Sequence, residues 1–229
     1  MSDQLPLTLR WPAQQRLDTF VVAENGAALA LVRESAQGGN AWIYLSGASG
    51  SGKSHLLLAA CAEASARSRH AQYLSLQKLD GDRAAAIRAL GGSDLLALDD
   101  LSAIAGDAAA EHALFDLYNR CKMEKSTLLF GAEKPAAQLG IGLPDLVSRL
   151  ASCTQAILKP LDDAARREAV RRRAQARGLE LDEAVLAWLF THIPRDLGNL
   201  TTALDRIDRA ALAAQRRVTV PFLRKLFSA

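Results

Sequence analysis

From about residue 41 to about residue 159, short apolar runs alternate with stretches of helical periodicity. The apolar runs lie near 41–46, 72–76, 95–99, 127–131 and 155–158, and each reads as a strand. Leu95-Leu96-Ala97-Leu98 has no polar alternation, as expected of a strand covered on both faces. Between the runs, 53–69 and 107–124 carry helical patterns. In the second, Leu114, Leu117, Tyr118 and Cys121 form one stripe, with Asp116, Arg120 and Lys122 elsewhere. Gly91-Gly92-Ser93 and Gly140-Ile141-Gly142 read as loops. Strand and helix in alternation predict a parallel sheet with crossover helices.

The texture changes after Pro160. Only helical periodicity remains, over 163–177, 182–192, 196–216 and 221–227, interrupted by Gly178, Pro194 and Val218-Thr219-Val220. The predicted organisation is an extended segment at 1–14, an α/β domain at 15–160 and a small all-helical domain at 161–229.

Composition narrows the function classes. A formal charge of +3 does not mark a general nucleic-acid binder. Three cysteines, Cys61, Cys121 and Cys153, lie far apart without a CxxC pair, which argues against disulfides and zinc and fits a reducing compartment. No apolar stretch approaches membrane-spanning length, and the first residues lack a signal-peptide pattern, so a cytoplasmic protein without a membrane partner is expected.

One motif is specific. Gly47-Ala-Ser49-Gly50-Ser51-Gly52-Lys53-Ser54 fills every fixed position of GxxxxGK[ST], between a predicted strand and a predicted helix. Backbone N–H groups of such a loop converge on phosphate oxygens at a helix N-terminus, Lys53 neutralises the outer phosphates, and the Ser54 hydroxyl is placed for Mg²⁺. The chain is therefore expected to bind a nucleoside phosphate. The strand at 95–99 ends in two carboxylates. Asp99 is the candidate second Mg²⁺ residue, and Asp100 a candidate to face the γ-phosphate and orient water. At the tip of the strand at 127–131, Glu133 and Lys134 form a polar loop that solvent alone would also explain, although Glu133 sits where a side chain reaches γ-phosphate or water.

Other features are less specific. Arg149 stands on a short apolar helix; by spacing alone it is a surface ion-pair residue, and in a neighbouring subunit's site it would stabilise transition-state charge. Arg166, Arg167, Arg171, Arg172, Arg173 and Arg177 crowd one helix, with Asp162, Asp163 and Glu168 partly compensating. Gln4-Leu5-Pro6-Leu7-Thr8-Leu9 is an extended segment suited to a partner's apolar groove, or to a frayed or pinned terminus.

Taken together, these motifs resemble the P-loop AAA+ module of the bacterial DnaA family, from about residue 15 onward. The matching pieces are Leu17–Val22 with Asn25, the phosphate loop with His55, Asp94–Leu101 with Gly106, Leu128–Pro135, and Ser148-Arg149-Leu150. The resemblance implies a five-stranded parallel sheet with a helical lid. It also implies an adenine-side contact by Val21 and Val22, bound ADP or ATP with Mg²⁺, and Arg149 as an arginine finger acting in trans. Within the family, the chain is most similar to the short members that inactivate the initiator. It ends at the lid, without the initiator's DNA-binding domain, and its Gln4, Leu5, Leu7 and Leu9 resemble a sliding-clamp-binding peptide. The implied partners are the DnaA initiator and the clamp, with DNA contact weak or indirect and self-association left open. The implied activity is acceleration of the initiator's ATP hydrolysis; a helicase-loader-like ATPase remodelling DNA or a helicase is the alternative. Glu133 stands where the family usually has aspartate, and Gly198 where it places a lid arginine, with Arg195 one turn earlier. Feeble hydrolysis by the chain itself is therefore expected.

Overall fold

The computed structural model describes residues 11–12 and 15–228. Gln4, Leu5, Leu7 and Leu9 lie outside the described residues. Five strands, β1 (Ile43–Ser46), β2 (Ala71–Ser75), β3 (Leu95–Asp99), β4 (Thr127–Ala132) and β5 (Thr154–Ile157), form one sheet in the order β2-β3-β4-β1-β5. Every pairing is parallel. Around the sheet run α1 (Gly26–Ala36), α2 (Lys53–Ala66), α3 (Arg83–Arg88), α4 (Ala108–Glu124) and α5 (Pro144–Ala151).

β1, β3 and β4 are buried on both faces because helices cover both, whereas β5 at the sheet edge leaves Thr154, Gln155 and Ile157 exposed. Tyr44, Leu96, Leu98, Leu128 and Phe130 pack with Ile87, Leu114, Leu117 and Leu150. Ile43, Leu45, Leu95, Ala97 and Leu129 pack with Val32, Leu56, Leu57 and Ala60 on the opposite face. Fully burying one such side chain is worth about 1.5–3 kcal/mol, so the two layers fix the strand register.

A third core joins α6 (Asp163–Gln175), α7 (Glu183–His192), α8 (Leu197–Ala214) and α9 (Val220–Phe227) around Val170, Leu186, Leu204 and Leu223. This is the expected helical lid, and three of its helices begin on an aspartate. Asp162, Asp182 and Asp196 each accept a backbone N–H three residues on. The bonds Asn25 Nδ2 to the Lys159 carbonyl (3.0 Å) and Lys159 N to Asn25 Oδ1 (2.8 Å) tie the start of α1 to the segment leading into the lid.

Several helices are shorter than their periodicity. α2 stops at Ala66, not 69, because Ser68 turns left-handed (φ 60°) and the Arg69 N–H closes back on the Ala64 carbonyl. α6 stops at Gln175, not 177, with Gly178 at φ 73° and the Leu179 N–H on the Ala174 carbonyl. Among the described residues no helix is long and apolar enough to cross a membrane.

Candidate functional site

A parallel sheet brings the carboxyl ends of its strands to one edge, and the predicted residues of the body gather there. β1 runs into the loop at Gly47, whose N–H donates to the Ala132 carbonyl at the end of β4 (3.2 Å). Two glycines of this loop are there for close approach. A Cβ on Gly47 would lie 2.6 Å from the Leu158 carbonyl oxygen, and one on Gly52 2.8 Å from a Phe20 ring carbon, with Gly52 also at φ +105°. Lys53 starts α2 and is buried; its Nζ donates to the carbonyls of Gly47 (2.7 Å) and Ala48 (3.1 Å). Burial pushes the Lys53 ammonium down, and the nearby charges of Asp99, Glu133 and Asp100 oppose that. Lys53, Asp99, Asp100 and Glu133 therefore share one electrostatic neighbourhood. Ser51 is buried, and its hydroxyl has no hydrogen-bond partner among the described residues.

Asp99 is fully buried at the end of β3. It accepts from the Tyr73 hydroxyl (2.9 Å) and from the Asp100 N–H (3.0 Å). Burial is the main force raising its pKa, and the nearby Ser54 hydroxyl opposes it most. Gly131 of β4 makes the room for this carboxylate, since a Cβ there would sit 2.4 Å from Asp99 Oδ1 and 2.8 Å from Leu57 Cδ1.

Asp100 is left-handed (φ 60°, ψ 47°), a conformation a short polar side chain tolerates, and accepts from the Ser75 hydroxyl (2.7 Å). Glu133 is exposed beyond β4, on a loop held by the Tyr44 hydroxyl, which donates to the Lys134 carbonyl (2.8 Å). Ser49 lies at the exposed outer bend of the phosphate loop.

A narrow cleft of about 20 Å³ runs beside the loop, lined by Phe20, Val21, Ser51, His55, Arg173 and Leu197 among others. Val21 is in it; Val22 is 39 % exposed and is not among its lining residues. His55 Nε2 donates to the Arg16 carbonyl oxygen (2.9 Å), and its ring meets Phe20 edge-on at 5.5 Å. Burial lowers the His55 pKa to about 4, aided by Arg173 and opposed by the Arg16 contact. A wider concavity of about 610 Å³, with Trp42, Tyr118 and Lys122 in its lining, sits at the amino ends of β1, β4 and β5, the edge opposite the motifs.

Arg149 is exposed on α5 and makes no ion pair among the described residues; its guanidinium carbon lies 5.8 Å from the Tyr118 ring centroid. Its helix is aimed by a residue that sequence reasoning missed. Glu111 of α4 is buried, and its carboxylate accepts from the N–H groups of Gly106 (2.9 Å), Gly142 (3.0 Å) and Leu143 (2.9 Å). It thus clamps the loop leading into α5. Arg195 donates to the Phe190 carbonyl (3.1 Å) and to Asp163 (3.3 Å), so it is engaged inside the lid.

Together, the 51432 sheet, the phosphate loop, the two carboxylates at the end of β3 and the helical lid define a P-loop AAA+ nucleotide-binding protein. Residues 13–156 match the family described as the bacterial DnaA ATPase domain, and residues 163–227 match the lid domain of Hda. The chain belongs to the bacterial DnaA ATPase-domain family, with an Hda-type lid.

Solved structures agree in fold. Domain III of the DnaA replication initiation protein from Thermotoga maritima superposes with a TM-score of 0.79 at 20 % identity, covering 96 % of this chain and 98 % of that one. AMPPCP-bound DnaA from Aquifex aeolicus gives 0.69 at 22 % identity, with 86 % and 66 % covered. The RuvB protein of Thermotoga maritima gives 0.65 at 20 % identity, with 95 % and 72 % covered.

Proposed function

We propose that this DnaA-family regulator of replication initiation is a nucleotide-bound adaptor, tethered to the sliding clamp, that stimulates hydrolysis of ATP held by the DnaA initiator. The observation that carries the proposal is Arg149. It is exposed, without a carboxylate partner among the described residues, and sits on a helix whose approach loop is fixed by a buried glutamate. An isolated surface arginine spends its charge on ion pairs or solvent; a rigidly presented one suits insertion into another subunit's site, where such a guanidinium is worth about 10³–10⁵ in rate.

The chain's own site fits a nucleotide. The glycine approaches at Gly47 and Gly52 leave backbone where a side chain would intrude, and Ser51 carries an unpartnered buried hydroxyl. In this reading, the backbone of Gly47, Ser49, Gly50, Ser51 and Gly52 together with Lys53 holds the phosphates of ADP or ATP, and Val21 faces the base. Ser54 and Asp99 would hold Mg²⁺, which supplies charge neutralisation on the phosphates. In this reading Asp100, already bonded to Ser75, and the exposed Glu133 would lie near the outer phosphate but be poorly poised to activate water, so small intrinsic turnover is expected. Gln4, Leu5, Leu7 and Leu9 supply the tether, which raises the local concentration at the initiator to about millimolar.

The test is a reconstituted mixture of this protein, clamp, DNA and ATP-bound DnaA, following conversion of the bound ATP to ADP. Wild type should accelerate conversion. Arg149→Ala should retain folding, nucleotide and clamp binding but lose the acceleration. The double change Gln4→Ala with Leu7→Ala should lose clamp capture without loss of thermal stability. Full acceleration by Arg149→Ala removes the finger, and robust ATP turnover by this chain without clamp favours a motor instead.

A further inference from the structure

The net charge of +3 is not spread evenly. Residues 1–160 carry fifteen lysines and arginines against sixteen acids, and residues 161–229 carry thirteen against nine. Within the lid the surplus lies at the far end. From position 206 onward, Arg206, Arg209, Arg216, Arg217, Arg224 and Lys225 stand against Asp208 alone. The earlier lid arginines are mostly neutralised: Arg166 pairs with Asp163, Arg171 with Glu168 and Glu183, Arg172 with Glu168, and Arg177 with Asp205.

The six late cations are all exposed. Among the described residues only Arg217 of the six has an ion pair, with Glu180 at 3.7 Å, and those side chains are 91 % and 87 % exposed, so the pair contributes little. Between α8 and α9 lies a concavity of about 580 Å³. Arg206, Arg216 and Lys225 line it together with Phe222, Leu226 and two alanines, and no carboxylate is in its lining. Arg206 is fixed there: its Nη2 donates to the Leu226 carbonyl (2.8 Å), and its guanidinium carbon lies 5.0 Å from the Phe227 ring centroid. A helix C-terminus favours a nearby cation by about 0.3–1 kcal/mol. That accounts for Arg216 and Lys225 singly, but not for their meeting Arg206 across one groove with no acid between them.

We propose that this groove and its flanking arginines bind the phosphodiester backbone of duplex nucleic acid, without regard to sequence. Unpaired cations in a cluster select a polyanion, and the arginine fork matches phosphate oxygens. Arg206 to Ala214 spans about 12 Å of helix, over which one strand of a duplex presents about three to four phosphates. The apolar floor at Phe222 and Leu226 suits the sugars between them. Contacts to phosphate and sugar hold a protein on a duplex but carry no sequence information. None of these residues belongs to the nucleotide site or to the helix of Arg149, so the proposal stands apart from both readings.

The experiment is fluorescence anisotropy of the full-length chain with two labelled duplexes of unrelated sequence, about 20 base pairs each, from about 50 to about 200 mM salt. Both should bind within about twofold of each other, and log affinity against log salt should fall with a slope of about −3, as for three to four neutralised phosphates. Arg216→Ala and Lys225→Ala should each weaken binding about three- to tenfold at the lowest salt, and each make the slope shallower by about one. Both variants should keep the Tm of wild type, because neither side chain has a hydrogen-bond partner among the described residues. Arg172→Ala, which removes a paired arginine of α6, should change neither affinity nor slope. Absence of duplex binding at the lowest salt, or an unchanged slope when both changes are combined, overturns the proposal. So does poly-L-glutamate competing as well as duplex at equal charge, which assigns the surface to an acidic protein instead.

Discussion

Glu111 makes a sharp test of how the exposed arginine is presented. Glu111 is 3 % exposed, and its carboxylate accepts three backbone N–H groups, from Gly106 on the preceding loop and from Gly142 and Leu143 at the approach to α5. A hydrogen bond to a charged group contributes about 1.5–3 kcal/mol net. Gly106 and Gly142 are exposed, so water can replace part of what is lost, and burial of the carboxylate offsets more. Glu111→Ala should therefore cost about 2–4 kcal/mol, and Glu111→Gln about 1–2 kcal/mol because one carbonyl acceptor survives. For a chain of this size each kcal/mol shifts Tm by about 2–4 °C. Thermal unfolding gives the stability change, and amide hydrogen exchange at Gly142 and Leu143 gives its location. Exchange there should rise in Glu111→Ala while the amides of β3 and β4 stay protected. Stimulation of DnaA should then fall although Arg149 is intact. Unchanged exchange at 142 and 143 with Tm within about 1 °C of wild type would refute the clamp.

Gly131→Ala places a methyl 2.4 Å from Asp99 Oδ1, so it should cost about 1–3 kcal/mol by overpacking and selectively weaken Mg²⁺-dependent nucleotide binding; titrations with and without Mg²⁺ decide, and equal affinities in both would remove Asp99 from the ion. Lys53→Ala should release bound nucleotide on purification, measured after denaturing the protein; full retention denies the loop its role. The buried His55, facing the Arg16 carbonyl, the Thr19 hydroxyl and the Arg173 cation, has its pKa lowered to about 4 against an ordinary 6.5. The unfolded chain then binds the extra proton first, so stability present above pH 6.5 is lost as pH falls toward 4, by up to about 1.4 kcal/mol per pH unit. His55→Gln should flatten that slope in urea unfolding between pH 6.5 and 4; an unaltered slope assigns the loss to other groups.

β3 was legible at both ends because Leu95-Leu96-Ala97-Leu98 is a continuous apolar run that follows Asp94 and ends in two carboxylates. The helices α1 and α3 were not read. The first is Ala-rich and opens on Gly26 without a side-chain cap bond, and the second is six residues long. Local signals also placed helix ends too late where a left-handed residue closed the chain, as at Ser68. At the site, the phosphate loop and Asp99 were visible because their spacing is local. Tyr73, Gly131 and Glu111 were not, because each acts across the fold. Tyr73 meets Asp99 from the neighbouring strand, Gly131 yields space to the same carboxylate, and Glu111 binds a loop some thirty residues away in sequence. The arginine cluster reads as a charged face, and Arg166, Arg171, Arg172 and Arg177 do pair with acids of the lid.

The first residue of α8 packs on the phosphate loop at a glycine: a Cβ on Gly50 would lie 3.7 Å from the Leu197 backbone nitrogen and 3.8 Å from its side chain. Gly50 is also left-handed, at φ +75°. A bulkier residue there would act as a wedge at the joint, so positions 50 and 197 constrain one another. Chimeras that graft a foreign lid onto this body would need its loop grafted too.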